Sequence, residues 1–249
     1  KEQHITITSS TNMSKEDIDK AVKDAEKFAE QDKKAKEAVE TKNRAESLIN
    51  QSEKTLNDLG DKLTERQMLT LATAIEGHPD NVAPAMLGGF VTSVYDEGQV
   101  YSVKKNIDEQ LAFAAFVPDF RLLTSKARAA LPDMVSHKDA VYNLSRAALA
   151  TAAFCDGDYS LLGVATKDSL HQKYRLPLID GGDEMFELAQ DLGALAVYIS
   201  GAGPTIMAVV PRDDQEFFAR AQEALPQSEK LKHFTVYRLL PDNTGATVE

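Results

Sequence analysis

The sequence predicts an α+β protein, with a long charged helical arm over residues 1–63 ahead of a globular part in which strands and helices mix. Three observations carry this. The composition changes abruptly near Gly60 to Leu63: the first 63 residues hold 12 basic and 14 acidic residues, one aromatic (Phe28), one glycine (Gly60) and no proline, while all nine prolines and the other twelve glycines follow. Apolar residues recur at helical spacing before the break, whereas short apolar runs bounded by turn residues recur after it. Those later strands and helices alternate without a regular strand–helix–strand period, which favours an α+β layer over a doubly wound parallel sheet.

In the arm, residues 4–10 alternate, with Ile5 and Ile7 on one side and Thr6 and Thr8 on the other, as a half-buried strand would. Ser14 can cap a helix, with Asp17 three residues on. Ile18, Val22, Ala25 and Ala29 then continue at helical spacing, thinning through Val39, Leu48, Ile49 and Leu56 to a stop at Gly60, as one long helix or two joined near residues 33–38. The remaining faces carry Lys and Glu, which suits a solvated helix that leans on a partner for stability. Residues 14–59 are expected to project as helix.

The globular part opens with a helix capped by Thr64, with Gln67 at the capping-box position and Met68, Leu71, Ala72 and Ile75 as its apolar face. Gly77 and Pro79 mark a turn. Residues 82–87 read as a second helix with Asp80 or Asn81 near its cap, stopped by Gly88 and Gly89. Residues 90–95 and 99–104 read as a hairpin around Asp96, Glu97 and Gly98. Further strands are expected at 111–117, 194–199, 206–210 and 234–239, and helices at 124–130, 138–154, 159–165, 183–192 and 213–224.

A formal net charge of -11 argues against nucleic acid and anionic membranes as main partners. The single cysteine, Cys155, rules out an internal disulfide, and its Ala-rich apolar surroundings point to a buried thiol. The longest apolar stretch is too short to span a bilayer, and residues 1–4 carry no apolar signal core, so a cytoplasmic location is expected.

Three places can carry chemistry. Glu76, His78, Asp80 and Asn81 fall within six residues at a helix end; a carboxylate and an amide carbonyl are hard oxygen ligands suited to Mg²⁺ beside phosphates, and the plain alternative is a capped polar loop. Thr124 and Arg128, then Arg175 within 171–175, stand at helix starts and loops, where a guanidinium fork can hold a carboxylate. The turn 200–205 carries Gly201 and Gly203, which let backbone approach a ligand closely, although the same pattern also serves as a tight β-turn.

Two resemblances sharpen these readings. "KEQHITITSSTNMSKEDIDKAVKDAEKFAEQDKK" resembles the bacterial seventy-kilodalton heat-shock chaperone family (DnaK-type), at the last strand of its peptide-binding sandwich and the start of its lid. "EGHPDNVAPAMLGGF", "TSKARAALP", "LHQKYRLPLI" and "SGAGPTIMAVV" resemble, in order, the homoserine kinase family of the GHMP kinase superfamily. The second resemblance implies a remnant of that superfamily's N-terminal domain at 64–108 and its ferredoxin-like, two-layer C-terminal domain at 109–249. It also implies the family reaction, ATP-dependent phosphorylation of L-homoserine in threonine biosynthesis. By position it implies Glu76 as the Mg²⁺ carboxylate, His78 and Asn81 as homoserine contacts, and Thr124 near the reacting hydroxyl. Arg128 and Arg175 would hold the carboxylate, and Gly201 and Gly203 would shape the turn lining the ATP-dependent site. A homodimer is left open.

The same resemblance implies a glycine- and serine-rich phosphate loop just before the helix at Thr64, where this sequence has the charged arm instead. Little or no kinase activity is therefore expected of the chain as it stands. The competing readings are a chaperone-lid fragment acting as an interaction module, and a fusion that arose in assembly.

Overall fold

The computed structural model describes residues 63–247. The expected strand at 4–10 and helix at 14–59 lie outside the described residues. By contacts the chain divides at Thr64, and everything below concerns the unit that begins at Glu65.

Helix α1 (Glu65–Glu76) and helix α2 (Pro79–Leu87) meet at a corner and pack on a hairpin, β1 (Phe90–Asp96) and β2 (Gln99–Lys105). The hairpin register runs from Phe90 opposite Lys105 to Asp96 opposite Gln99. That leaves Glu97 and Gly98 as a two-residue loop, at φ 45° and 79°. Two successive positive φ values are the signature of a type I′ turn, whose twist matches that of the strands. Helix α2 starts three residues earlier than the sequence suggests. Pro79 occupies its first turn, where a fixed φ and a missing N–H cost nothing, so Asp80 lies inside the helix instead of capping it.

The second sheet orders its strands β4–β5–β3–β6, all antiparallel: β3 (Leu111–Pro118), β4 (Ala196–Ile199), β5 (Ile206–Pro211) and β6 (Phe234–Leu239). Between β3 and β4 run α3 (Thr124–Ala129), α4 (His137–Asp156), α5 (Leu162–Ala165), α6 (Gln172–Arg175) and α7 (Gly182–Asp191), and α8 (Gln215–Ala224) joins β5 to β6. With α7 and α8 on one face, the β–α–β–β–α–β order is the ferredoxin-like arrangement.

The expectation of two layers needs correcting. Ala112, Ala114 and Phe116 of β3 point to the core shared with Met185 of α7 and Phe217 of α8. Their alternates Leu111 and Phe113 join Val209 in a second cluster with Ala153 and Phe154 of α4 and Leu162 of α5. Both faces of the sheet are covered, which is why β3 reads as a nearly unbroken apolar run. Phe90 of β1 stacks on Phe154 with ring centroids 4.2 Å apart, so the hairpin is tied to α4.

Two further expectations fail on helix rotation. Leu69 and Thr73 take the buried face of α1, with Met68 and Ala72 beside them, leaving Leu71 45% and Ile75 65% exposed. Cys155 is exposed, because Ala153 and Phe154 occupy the inward positions of the last turn of α4.

The C-terminal segment closes the unit. Gly89 donates its N–H to the Asp242 carbonyl (2.7 Å), and Ala246 donates to Ala85 (3.0 Å). The Asn243 side chain receives the Ile107 N–H (2.8 Å) and donates to the Ile107 carbonyl (2.9 Å). Gly88 and Gly245 sit where an added Cβ would fall 2.5 Å or less from backbone atoms of the opposite segment. Asn243→Ala deletes both bonds and strands a partly buried N–H, and is expected to destabilise the unit by about 2 kcal/mol. The check is its urea midpoint; a midpoint equal to that of the parent chain would show that the clasp contributes nothing.

Candidate functional site

The α1–α2 corner, the second half of α3, helix α6 with the turn before it and the turn between β4 and β5 are linked by side-chain hydrogen bonds. The corner is shaped by Gly77 at φ 102°, followed by His78 in extended conformation as the N-cap of α2. His78 Nδ1 lies 2.6 Å from Asp80 Oδ1, which also accepts the Asn81 N–H at 3.0 Å. On its other side His78 Nε2 lies 3.2 Å from Nη2 of Arg128, on α3. Two residues that stand 50 apart in sequence are thus joined directly.

Arg175, the last residue of α6, is held from three directions. Nη1 donates to the Gly201 carbonyl at 2.9 Å and lies 3.4 Å from His171 Nδ1, and Nε donates to the Ala127 carbonyl at 3.4 Å. Helix α6 is itself pinned to the sheet: the buried Gln172 amide accepts the Ile199 N–H (2.8 Å) and donates to the Thr166 carbonyl (3.1 Å). The loop before α6 wraps one carboxylate. Asp168 Oδ2 accepts the N–H groups of Leu170, His171 and Gln172 at 3.1, 2.7 and 2.6 Å, and Oδ1 accepts from Asn143 Nδ2 at 2.5 Å.

Burial alone would raise the Asp168 carboxyl. The N–H groups of His171 and Gln172 and the Asn143 amide outweigh it and hold the group below its ordinary value. For His171 the largest influence is burial, which lowers its pKa; Asp168 opposes that, and Arg175 adds to it. The net effect favours the neutral imidazole.

Thr124, the first residue of α3, lines a groove of about 490 Å³ together with Asp119, Leu122, Pro204 and Thr205. Gly201 and Gly203 both have positive φ, and a Cβ on Gly203 would meet Ile199 at 3.1 Å. Within that turn the Ser200 N–H goes to the Thr205 carbonyl and the Gly203 N–H to the Ser200 carbonyl, both at 2.9 Å. The turn thus spends these donors on itself and presents the Gly201 carbonyl to Arg175.

Of the residues singled out from sequence, the structure joins His78 to Arg128 and Arg175 to Gly201, and sets Thr124 in the groove beside the same turn. Glu76 and Asn81 are exposed at the α1–α2 corner. The sequence assigns no site role to Asp168 or His171, although His171 stands in the string 171–175, and it offers Asp80 both as a helix cap and as a member of the polar cluster 76–81. The one signal for the first pair is an aspartate followed within four residues by a short helix, a setting in which Asp side chains take backbone N–H groups.

Among the described residues no group of three or more His, Cys, Asp or Glu side chains comes together as a metal cage. Glu76 is an exposed carboxylate, which fits a Mg²⁺ ion that takes its other ligands from phosphates and water. A triphosphate fits less well: the glycine turn, the one candidate cradle among the described residues, turns two of its N–H groups inward. No helix among the described residues is long and apolar enough to cross a membrane.

Comparison with known proteins bears on this geometry. A curated homoserine kinase from Clostridium beijerinckii is 47% identical over 190 residues, covering 76% of this chain and 63% of the relative. One from Caldicellulosiruptor saccharolyticus is 43% identical over 189 residues, covering 76% and 61%. Over that stretch the chain is similar to homoserine kinases. The crystal structure of homoserine kinase from Cytophaga hutchinsonii superposes with a TM-score of 0.67 at 28% identity, covering 77% of this chain and 62% of that one, so the fold is GHMP-kinase-like. Residues 150–227 match the family model for the GHMP kinases C terminal. The model for Hsp70 protein matches residues 1–88, running beyond the compositional break through α1 and α2. The chain spans less than two thirds of the length of these homoserine kinase relatives.

Proposed function

We propose that the α1–α2 corner, α3, α6 and the turn 200–205 form the amino-acid half of a homoserine kinase-type site, and that the chain has little or no kinase activity by itself. The observation that carries the reading is the tethering of Arg175 to the Ala127 carbonyl, beside Arg128, and to the Gly201 carbonyl. Two guanidinium groups, one on α3 and one tethered to α3, suit the carboxylate of an amino acid, because a guanidinium can present paired N–H donors. The homoserine kinase relatives add L-homoserine as the substrate.

In this reading His78 and Asn81 contact the substrate and Thr124 lies near the reacting hydroxyl. Glu76 would hold Mg²⁺, which when bound neutralises phosphate charge. Phosphoryl transfer depends mainly on positioning and on donors aimed at developing charge. Losing one such donor costs about 2.7–4 kcal/mol of transition-state stabilisation. A chain whose glycine turn uses two of its N–H groups internally, and which has the charged arm where the phosphate loop is expected, falls far short of that need. The domain division at 63 and 108 belongs to the same proposal. So does a chaperone-derived origin for residues 1–63, which the Hsp70 match supports.

A coupled assay tests the activity claim. ADP release in the presence of ATP, Mg²⁺ and L-homoserine is expected to be no higher than that of the Arg128→Ala chain. Release well above that control would overturn it. Calorimetric titration with L-homoserine tests the amino-acid half separately. Sequencing the source DNA across the codons for residues 60–64 tests the junction.

A further inference from the structure

We propose that Asp80 is a positioning residue that aims Arg128 through His78. The inference rests on the reading of Arg128 as a carboxylate ligand, but its first readout needs no ligand.

A neutral imidazole has one N–H and one lone pair, and an arginine can only donate. Asp80 Oδ1, an acceptor, lies 2.6 Å from Nδ1; Arg128 Nη2, a donor, lies 3.2 Å from Nε2. One tautomer satisfies both contacts: the proton on Nδ1, pointing at the carboxylate, and the lone pair on Nε2, receiving the guanidinium. The opposite tautomer would set N–H against N–H at Arg128 and a lone pair against a carboxylate at Asp80. Asp80 therefore selects the form of His78 that can hold Arg128, leaving the other donors of that guanidinium for a ligand.

The second arginine repeats the order of groups with the ring nitrogens exchanged. Arg175 Nη1 lies 3.4 Å from His171 Nδ1, and Asp168 Oδ1 lies 3.7 Å from His171 Nε2. An aspartate behind a histidine behind an arginine thus occurs twice, on separate elements that converge through the Ala127 carbonyl. The bland account of Asp80 is a first-turn helix carboxylate that accepts the Asn81 N–H. That account predicts a stability change only.

The test uses the full chain with labelled histidine and arginine. In the parent chain the ¹⁵N signals of His78 should report a protonated Nδ1 and a bare Nε2. Asp80→Ala should shift the ring toward the Nε2–H tautomer and move the Arg128 side-chain N–H resonance, as His78→Ala also should. Asp80→Asn, which keeps an acceptor oxygen, should restore much of the parent pattern. L-Homoserine should bind Asp80→Ala about tenfold more weakly, the scale of one lost hydrogen bond. An unchanged His78 tautomer, or an Arg128 resonance that does not move in Asp80→Ala, would overturn the proposal. Absence of L-homoserine binding to the parent chain would instead refute the reading of the site, while the spectra would still decide the role of Asp80.

Discussion

Phe217→Ala is expected to lower the stability of the four-stranded unit by about 3–5 kcal/mol, the range for emptying a fully buried aromatic site. Phe217 is wholly buried on the inner face of α8, edge-on to Phe116 of β3 at 6.4 Å. The strands beneath carry Ala112, Ala114 and Ala208, whose side chains are too short to fill the space left behind. The cavity would therefore persist, and its cost adds to the lost transfer energy. All seven tyrosines lie beyond residue 94 and the chain has no tryptophan, so the near-ultraviolet circular dichroism of tyrosine follows this unit and not residues 1–63. A large drop in the urea midpoint of that signal is expected for Phe217→Ala and a smaller one for Phe218→Ala, whose ring is only half-buried. Equal midpoints for Phe217→Ala and the parent would mean that α8 does not anchor this core.

What the sequence made legible, and what it hid, follows the range of the forces involved. The β1–β2 hairpin could be read because Gly98 advertises a backbone geometry few residues adopt, and the neighbouring strands alternate on either side. The β4–β5 pair could be read from the apolar runs that flank the glycine turn. The rotation of α1 could not: Met68, Leu71, Ala72 and Ile75 form a plausible stripe, yet Leu69 and Thr73 are the residues buried. Which of two adjacent faces is buried depends on the partner, not on the helix. The second helical layer did leave a trace, since the nearly unbroken apolar run of β3 marks a strand covered on both faces.

At the site, residue types were legible and partnerships were not. Glycine, arginine and histidine in short strings point to ligand chemistry, and four such strings in order carried the resemblance. No local rule joins His78 to Arg128, or Asn143 to Asp168, because those contacts exist only once the helices are packed. The roles of Asp80, Asp168 and His171 lie entirely in such contacts.

Asp168 is where this matters most for stability. Its side chain is 6% exposed and accepts three backbone N–H groups and one amide N–H. Asp168→Ala would leave those donors without a partner, at about 1–3 kcal/mol each where water cannot reach them. Partial relaxation should bring the net loss to about 3 kcal/mol. Asp168→Asn should be only somewhat milder, since an amide must turn its NH₂ toward either Asn143 or the three N–H groups, and both sides donate. The carboxylate also makes stability depend on pH in a fixed direction. Its folded-state pKa lies below the ordinary 3.8, so its contribution is present above that value and is lost as pH falls through the folded-state pKa. The parent chain should thus lose stability in acid more steeply than Asp168→Asn, whose side chain does not titrate. Because Asp168 fixes the backbone of His171, and His171 touches Arg175, L-homoserine affinity should fall along with stability in Asp168→Asn. Parallel acid-stability curves for the two chains would show that the native contacts of this carboxylate do not favour its charged form.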